Sequence, residues 1–296
     1  MLDKVLDKRI ISRLDKFEPL PDVLRRLRDE IARPNTDHAQ VAAIVREDPV
    51  IYGRIMKLSN SSSVGAKQQI RSIEQAISLV GLDFVEKLVF SLFAAQTLSG
   101  AYANFQGEAK GLVKQSIATA VIAEKLARLL KIQLANEAYS AGLMHDMGKI
   151  VLNGFMKPKQ SELKQMICED GLHFSEAERT LFGITHAELG SEICRKWEFS
   201  DATQCAVRYH HDPLTLLGVP DVALATKQLV AVIHIADAMV NSLLIRTLAD
   251  IERQAYPMHY EVMEFLAMDE KTTEQFFEMC RTTVEPMLAE FLGMME

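Results

Sequence analysis

The residues best placed to do chemistry are an adjacent pair, His145-Asp146, inside Ala141-Gly-Leu-Met-His-Asp-Met-Gly-Lys149. Consecutive side chains on a helix point about 100° apart, so one turn presents an imidazole nitrogen and carboxylate oxygens together. An Asp has two oxygens and can bridge two metal ions while the His serves one of them. More residues of ligand type follow: His186, the doublet His210-His211, and Asp237 in His234-Ile-Ala-Asp237. Such a His/carboxylate set suits one divalent transition metal, with iron, zinc and manganese as the candidates, or it is metal-free polar architecture. A metal held there would act as a Lewis acid and lower the pKa of a bound water.

Each residue also has a plainer reading. His145 and Asp146 can satisfy each other in a core. His186 stands where it could cap a helix start, and His210 and His211 close a helix before Pro213, where a cation is favoured in any case. Asp237 lies in an apolar helix, where an unpaired carboxylate is costly. Without a metal, its expected partner is His145 or Lys149. Lys149 itself would meet an anionic group such as phosphate, or else Asp146 or solvent. Glu178 could stand behind a metal ligand and support it, or be solvated, and the solvated reading is preferred.

The elements that must position these residues read as helices. Asp48-Pro49 supplies an N-cap with Pro at the first helical position, opening Val50 to Leu58. Ser72-Ile-Glu-Gln75 reads as a capping box and Gly81 as a stop. Helical spacing of apolar residues marks 113–130, and 222–244 is long and apolar with His234 and Asp237 on one face. The single Asp-Gly, Asp170-Gly171, has helix-like flanks, so no strand pair is expected. The expectation is an all-α fold: a multi-helix bundle.

Bulk properties set limits on partners. The 296 residues are 48% hydrophobic and 25% charged, as in an ordinary globular chain, with a net charge of −7. No basic field draws the chain to nucleic acid or anionic lipid. No apolar run reaches the roughly 20 residues of a membrane span. No leader-like stretch opens the sequence, so a cytoplasmic protein is expected. Cys168, Cys194, Cys205 and Cys280 have no C-x-x-C spacing and are expected to be reduced core or near-core thiols.

Several phrases occur in a telling order: Leu20-Pro21, Glu47-Asp-Pro49, Lys57-Leu-Ser-Asn-Ser61 and Ser72-Ile-Glu-Gln-Ala-Ile77 with Gly81, then the His145-Asp146 segment, Phe182-Gly-Ile-Thr-His-Ala-Glu-Leu-Gly190 and Tyr209-His-His-Asp-Pro213. From about residue 16 to 245 this pattern resembles the HDOD domain, a branch of the HD superfamily of metal-dependent phosphohydrolases found mostly in bacterial signalling proteins. The resemblance implies an N-terminal helical half over 1–105, an HD-like half over 106–250 and a helical extension over 251–296, with a hinge near Gly100–Gly107. It also implies His145, Asp146, His186, His210, His211 and Asp237 as metal ligands, with His145, Asp146 and Lys149 as candidate catalytic residues.

Two departures weigh against turnover. Active HD enzymes carry an early His on the helix before the dyad; here Gln115 occupies that place, and its amide is a poorer ligand than imidazole. Two-metal relatives that cleave cyclic dinucleotides carry Gly-Tyr-Pro after the His doublet; here the chain reads His211-Asp-Pro-Leu-Thr-Leu-Leu-Gly218. The expectation is a regulatory or scaffold module with protein partners and, as a further option, a nucleotide ligand. The alternative is a phosphohydrolase or phosphodiesterase acting on nucleotides or cyclic dinucleotides.

Overall fold

The computed structural model describes residues 8–17, 19–60, 69–101, 106–244 and 259–295. Among them every regular element is helical, as the sequence pattern predicts. Residues 102–105 of the predicted hinge and residues 251–258 of the predicted extension lie outside the described residues. The chain divides into two compact units, one of residues 1–18 and 95–288, the other of residues 19–94 and 289–296.

The first helix, α1 (Lys8–Asp15), belongs to the larger unit; α2 (Asp22–Ile31), α3 (His38–Arg46), α4 (Pro49–Ser59) and α5 (Ile73–Val80) belong to the smaller. Local chemistry sets their ends. The Asp48 carboxylate accepts the Val50 and Ile51 N–H groups at 2.8 and 3.1 Å, with Pro49 in the first turn. Ser72 Oγ accepts the Gln75 N–H at 3.2 Å, but the Gln75 side chain accepts from Arg71 N, so only half of the predicted capping box forms. Gly81 ends α5 at φ 87°, a conformation in which a Cβ is strained. A complete box that the sequence reading missed opens α3, between Asp37 and Gln40.

After α6 (Leu82–Ala101), the larger unit continues with α7 (Gln106–Leu129), α8 (Ala135–Met144), α9 (Lys149–Met156), α10 (Gln160–Cys168), α11 (Phe174–Phe182), α12 (His186–Lys196), α13 (Asp201–Tyr209), α14 (Pro213–Leu217), α15 (Leu224–Leu244), α16 (Tyr260–Phe265) and α17 (Glu270–Met295). α7 packs on α8 and α15, and α13 packs on α12, α15 and α8. Ile122 and Leu126 of α7, Ala141 of α8, Ala206 of α13 and Leu229 and Ile233 of α15 share one core cluster. Burying each of the larger aliphatic side chains contributes about 1.5–3 kcal/mol. Val262, Met263, Phe276, Cys280 and Val284 join the same cluster, so the C-terminal helices pack back on the body.

Two glycines set the distances that matter for the site. A Cβ on Gly142 would lie 2.7 Å from Ala120 Cα, which shows how closely α8 approaches α7. A Cβ on Gly148, between α8 and α9, would lie 1.9 Å from the His186 carbonyl oxygen. The turn after the His-Asp pair therefore rests directly on the start of α12.

The cysteine expectation needs one correction. Cys194 and Cys280 are buried and Cys205 is partly covered, but Cys168 is exposed. The buried face of α10 carries Leu163 and Ile167, and Cys168 stands one residue, about 100°, beyond it. Burial pushes the Cys280 thiol up to about 12 and raises Cys194 as well, so neither is a ready thiolate. Among the described residues no helix is long and apolar enough to cross a membrane.

Candidate metal centre

His145 caps the C-terminal end of α8 and Asp146 follows it, both fully buried by the approach of α7 and α12. His186 opens α12, His210 caps the end of α13 with His211 next, and Asp237 projects from α15. The structure brings all six together. One group of ligand atoms, from Asp146, His186, His210 and His211, lies within 4.8 Å of one another, and a second group joins His145, His210 and Asp237.

The imidazoles are held in one tautomer. His145 Nδ1 donates to the Gly142 carbonyl at 2.6 Å, His210 Nδ1 to the Val207 carbonyl at 2.6 Å, and His186 Nδ1 to Glu178 Oε2 at 2.6 Å. In His186 and His210 the Nδ1 proton is spent on these partners, which leaves Nε2 to face the centre, whereas His145 Nε2 faces the Asp237 carboxylate at 3.1 Å. His186 Nε2 lies 3.3 Å from Asp146 Oδ1 and 3.0 Å from His211 Nε2. His210 Nε2 and Asp146 Oδ1 are buried without a hydrogen-bond partner among the described residues. Each such group costs about 1–3 kcal/mol, and a cation that accepts their lone pairs removes that cost. The donor set of imidazole and carboxylate fits a divalent transition metal.

Electrostatics point the same way. Burial alone would lower the His145 pKa, but the Asp146 and Asp237 carboxylates outweigh it and raise it to about 10. Burial, helped by the neighbouring imidazoles His145 and His186, pushes His210 down to about 3. Burial and the same neighbourhood lower His211 as well. Asp146 and Asp237 are both held low: burial alone would raise them, but the positive charge on His145 prevails. The centre thus demands positive charge between its carboxylates. A proton on His145 supplies it in the metal-free protein, and a cation would take its place.

Several plain readings of the sequence are corrected here. The helix-start cap is Thr185, whose side chain accepts the Glu188 N–H, and not His186. The low His210 pKa removes its role as a helix-end cation. Glu178, expected in solvent, is fully buried, because its Oε2 accepts both the His186 N–H at 2.9 Å and the ring Nδ1–H. Lys149 is buried too: its Nζ lies 3.0 Å from Asp146 Oδ2 and 5.4 Å from the Phe174 ring centroid. Of the two partners expected for a metal-free Asp237, His145 is present, with Nε2 3.1 Å from Oδ1.

The Asp237 side is closed by amides. Gln115 Nε2 donates to Asp237 Oδ1 at 3.2 Å and to Asn241 Oδ1 at 2.8 Å, while Asn241 Nδ2 donates to the same Asp237 Oδ1 at 3.1 Å. Gln115 therefore presents its donor nitrogen, not its oxygen, to the carboxylate. Asn241 was missed by sequence reasoning, although its place one turn after Asp237 puts it on the same helix face. Glu178, eight residues before His186, takes the supporting role behind a ligand that the sequence reading placed second to solvation.

The described residues thus form an all-helical fold around four imidazoles and two carboxylates that could hold a metal ion. The HDOD domain model matches residues 17–213, and the chain belongs to the HDOD family. A curated uncharacterized protein of Treponema pallidum (strain Nichols) is 24% identical over 204 residues; that match covers 69% of this chain but only 39% of the relative's length. A solved candidate signal transduction protein from Marinobacter aquaeolei VT8 superposes with a TM-score of 0.69 at 18% identity, covering 100% of this chain and 69% of that one. A candidate metal-dependent phosphohydrolase from Shewanella amazonensis SB2B gives a TM-score of 0.54 at 17% identity, covering 93% and 96%. At these identities the solved structures speak for the fold.

Proposed function

We propose that this chain is a regulatory signalling module that keeps one working metal position of an HD centre and does not turn over phosphoesters efficiently. One observation carries the reading. Ligand atoms of Asp146, His186, His210 and His211 converge within 4.8 Å of one another, whereas Asp237 Oδ1 is already taken by Gln115 and Asn241. In this reading Asp146, His186, His210 and His211 hold the metal, and Glu178 fixes the His186 ring. A bound ion would supply Lewis acidity toward an anionic ligand. His145, facing Asp146 and Asp237, balances their charge, and Lys149 neutralises the outer oxygen of Asp146. The output runs through protein partners.

The test is a hydrolysis screen with metal-loaded protein against nucleoside phosphates, a cyclic dinucleotide and an activated phosphodiester. The account expects one metal per chain and no multiple turnover. Efficient turnover abolished by Asp146→Ala would replace it with the phosphohydrolase reading.

A further inference from the structure

A cleft of about 460 Å³ is bounded by the first turns of α11 and α12 and the end of α13. His211 forms part of its wall, so the cleft adjoins the centre. Two guanidinium groups from different helices converge there on one carboxylate. Arg179 Nη2 lies 3.1 Å from Glu188 Oε2, and Arg208 Nη2 lies 3.4 Å from Glu188 Oε1. Glu188 thus holds two cations in place at the rim while both side chains stay 48% and 41% exposed.

The acidic residues on the same wall are engaged internally. Glu188 also accepts the Thr185 N–H at 3.0 Å, Glu176 accepts the His173 N–H at 3.0 Å, and Asp212 accepts the Thr215 hydroxyl at 2.7 Å. Arginine's planar fork matches phosphate oxygens, and each of the two arginines retains donors beyond the nitrogen facing Glu188. The volume lies in the range of about 300–1,000 Å³ typical of small-molecule sites and exceeds what inorganic phosphate needs. Tyr209 and His259 add aromatic rings to the wall.

We propose that this cleft binds a phosphate monoester of a ring-bearing small molecule, with Arg179 and Arg208 on the phosphoryl oxygens and Tyr209 and His259 beside the organic part. This deepens the regulatory reading and rests on it for the role of the neighbouring metal. His259 also gives the ligand a route to the C-terminal helices. Its backbone N–H donates to His234 Nε2 at 3.2 Å, and His234 Nδ1 donates to the His210 carbonyl at 2.7 Å. The His234 and His259 rings stack with centroids 5.1 Å apart. A ligand against His259 therefore touches the residue that leads into α16 and, through one hydrogen-bonded ring, the backbone of the His doublet.

The experiment is calorimetric titration with 5′-AMP, inorganic phosphate and adenosine, on protein whose metal content is measured in the same samples. Wild type, Arg179→Ala, Arg208→Ala and Arg208→Lys are compared, all at exposed positions where folding should survive. AMP should bind more tightly than either fragment, each Ala variant should lose about tenfold or more, and Lys should lose less. Metal-containing protein that ignores AMP, or Ala variants that bind it as wild type does, would overturn the cleft proposal and leave the metal centre standing. AMP binding with the expected Arg dependence in protein that never holds metal would support the cleft and remove the centre.

Discussion

The His186 side of the centre and the Asp237 side use similar residues but leave different atoms unsatisfied. Around His186, Asp146 Oδ1 and His210 Nε2 are buried without a hydrogen-bond partner among the described residues, and ligand atoms of three histidines and one carboxylate lie within 4.8 Å of one another. Around Asp237, two amide donors from Gln115 and Asn241 already sit on the carboxylate, and His145 faces it with a raised pKa. The first arrangement gathers ligand atoms that a cation would pair; the second already pairs its carboxylate with two amide donors and His145, although Gln115 Oε1 is buried without a hydrogen-bond partner among the described residues. On the reading proposed above, one buried site keeps a metal position on one side and is hydrogen-bonded architecture on the other.

The most severe way to break the comparison is Asp146→Ala, which removes the carboxylate shared by both sides. It breaks the buried Lys149–Asp146 ion pair, a loss of about 3–5 kcal/mol, and should abolish metal retention in elemental analysis. Denaturant melts of the metal-free proteins check the stability part. Gly148→Ala should follow. Its Cβ would collide with the His186 carbonyl, forcing α12 away from the dyad at a cost of about 1–3 kcal/mol or more, read as a lower Tm with weaker metal binding.

Glu178→Gln sharpens the comparison, because it touches only the His186 side. Loss of the carboxylate behind His186 should weaken metal affinity about 10- to 100-fold, measured by competition with a chelating dye. Gln115→Ala should leave that affinity within a few-fold.

A pH titration probes both sides without a substitution. The folded pKa of His210 lies at about 3, below the ordinary 6.5, so the folded state favours the neutral ring. Its contribution to stability is complete above about 6.5 and is lost as pH falls toward 3, with a slope of about 1.4 kcal/mol per pH unit for each proton taken up. His145 has the opposite sign: raised to about 10, it stabilises the metal-free protein below about 6.5 and loses that contribution as pH rises through 10. Urea melts of metal-free protein across this range should show both limbs, and His210→Gln should flatten the acid one.

Much of this was legible in the sequence, for identifiable reasons. The helix starts at Asp48-Pro49 and the stop at Gly81 depend on neighbours a few residues away, so local chemistry decides them. The six ligand-type residues stood out because buried-looking His and Asp in apolar helices are costly without a purpose. Gln115 drew attention for the His it lacks, but its positive role needed Asn241, 126 residues away in sequence. Glu178 looked solvated because its surroundings are polar in sequence, and only the return of α12 buries it against His186. Such partnerships arise from tertiary approach and leave no mark in spacing.

The central claim is one metal position held by the His186 side, and metal stoichiometry tests it most directly. Tag-free wild type, Asp237→Asn and Asp146→Ala should be purified with equal iron, zinc and manganese supply and analysed for metal per chain. The account predicts one equivalent in wild type, nearly one in Asp237→Asn and none in Asp146→Ala. Two equivalents in wild type, no metal in any of the three, or loss of the metal in Asp237→Asn would contradict it.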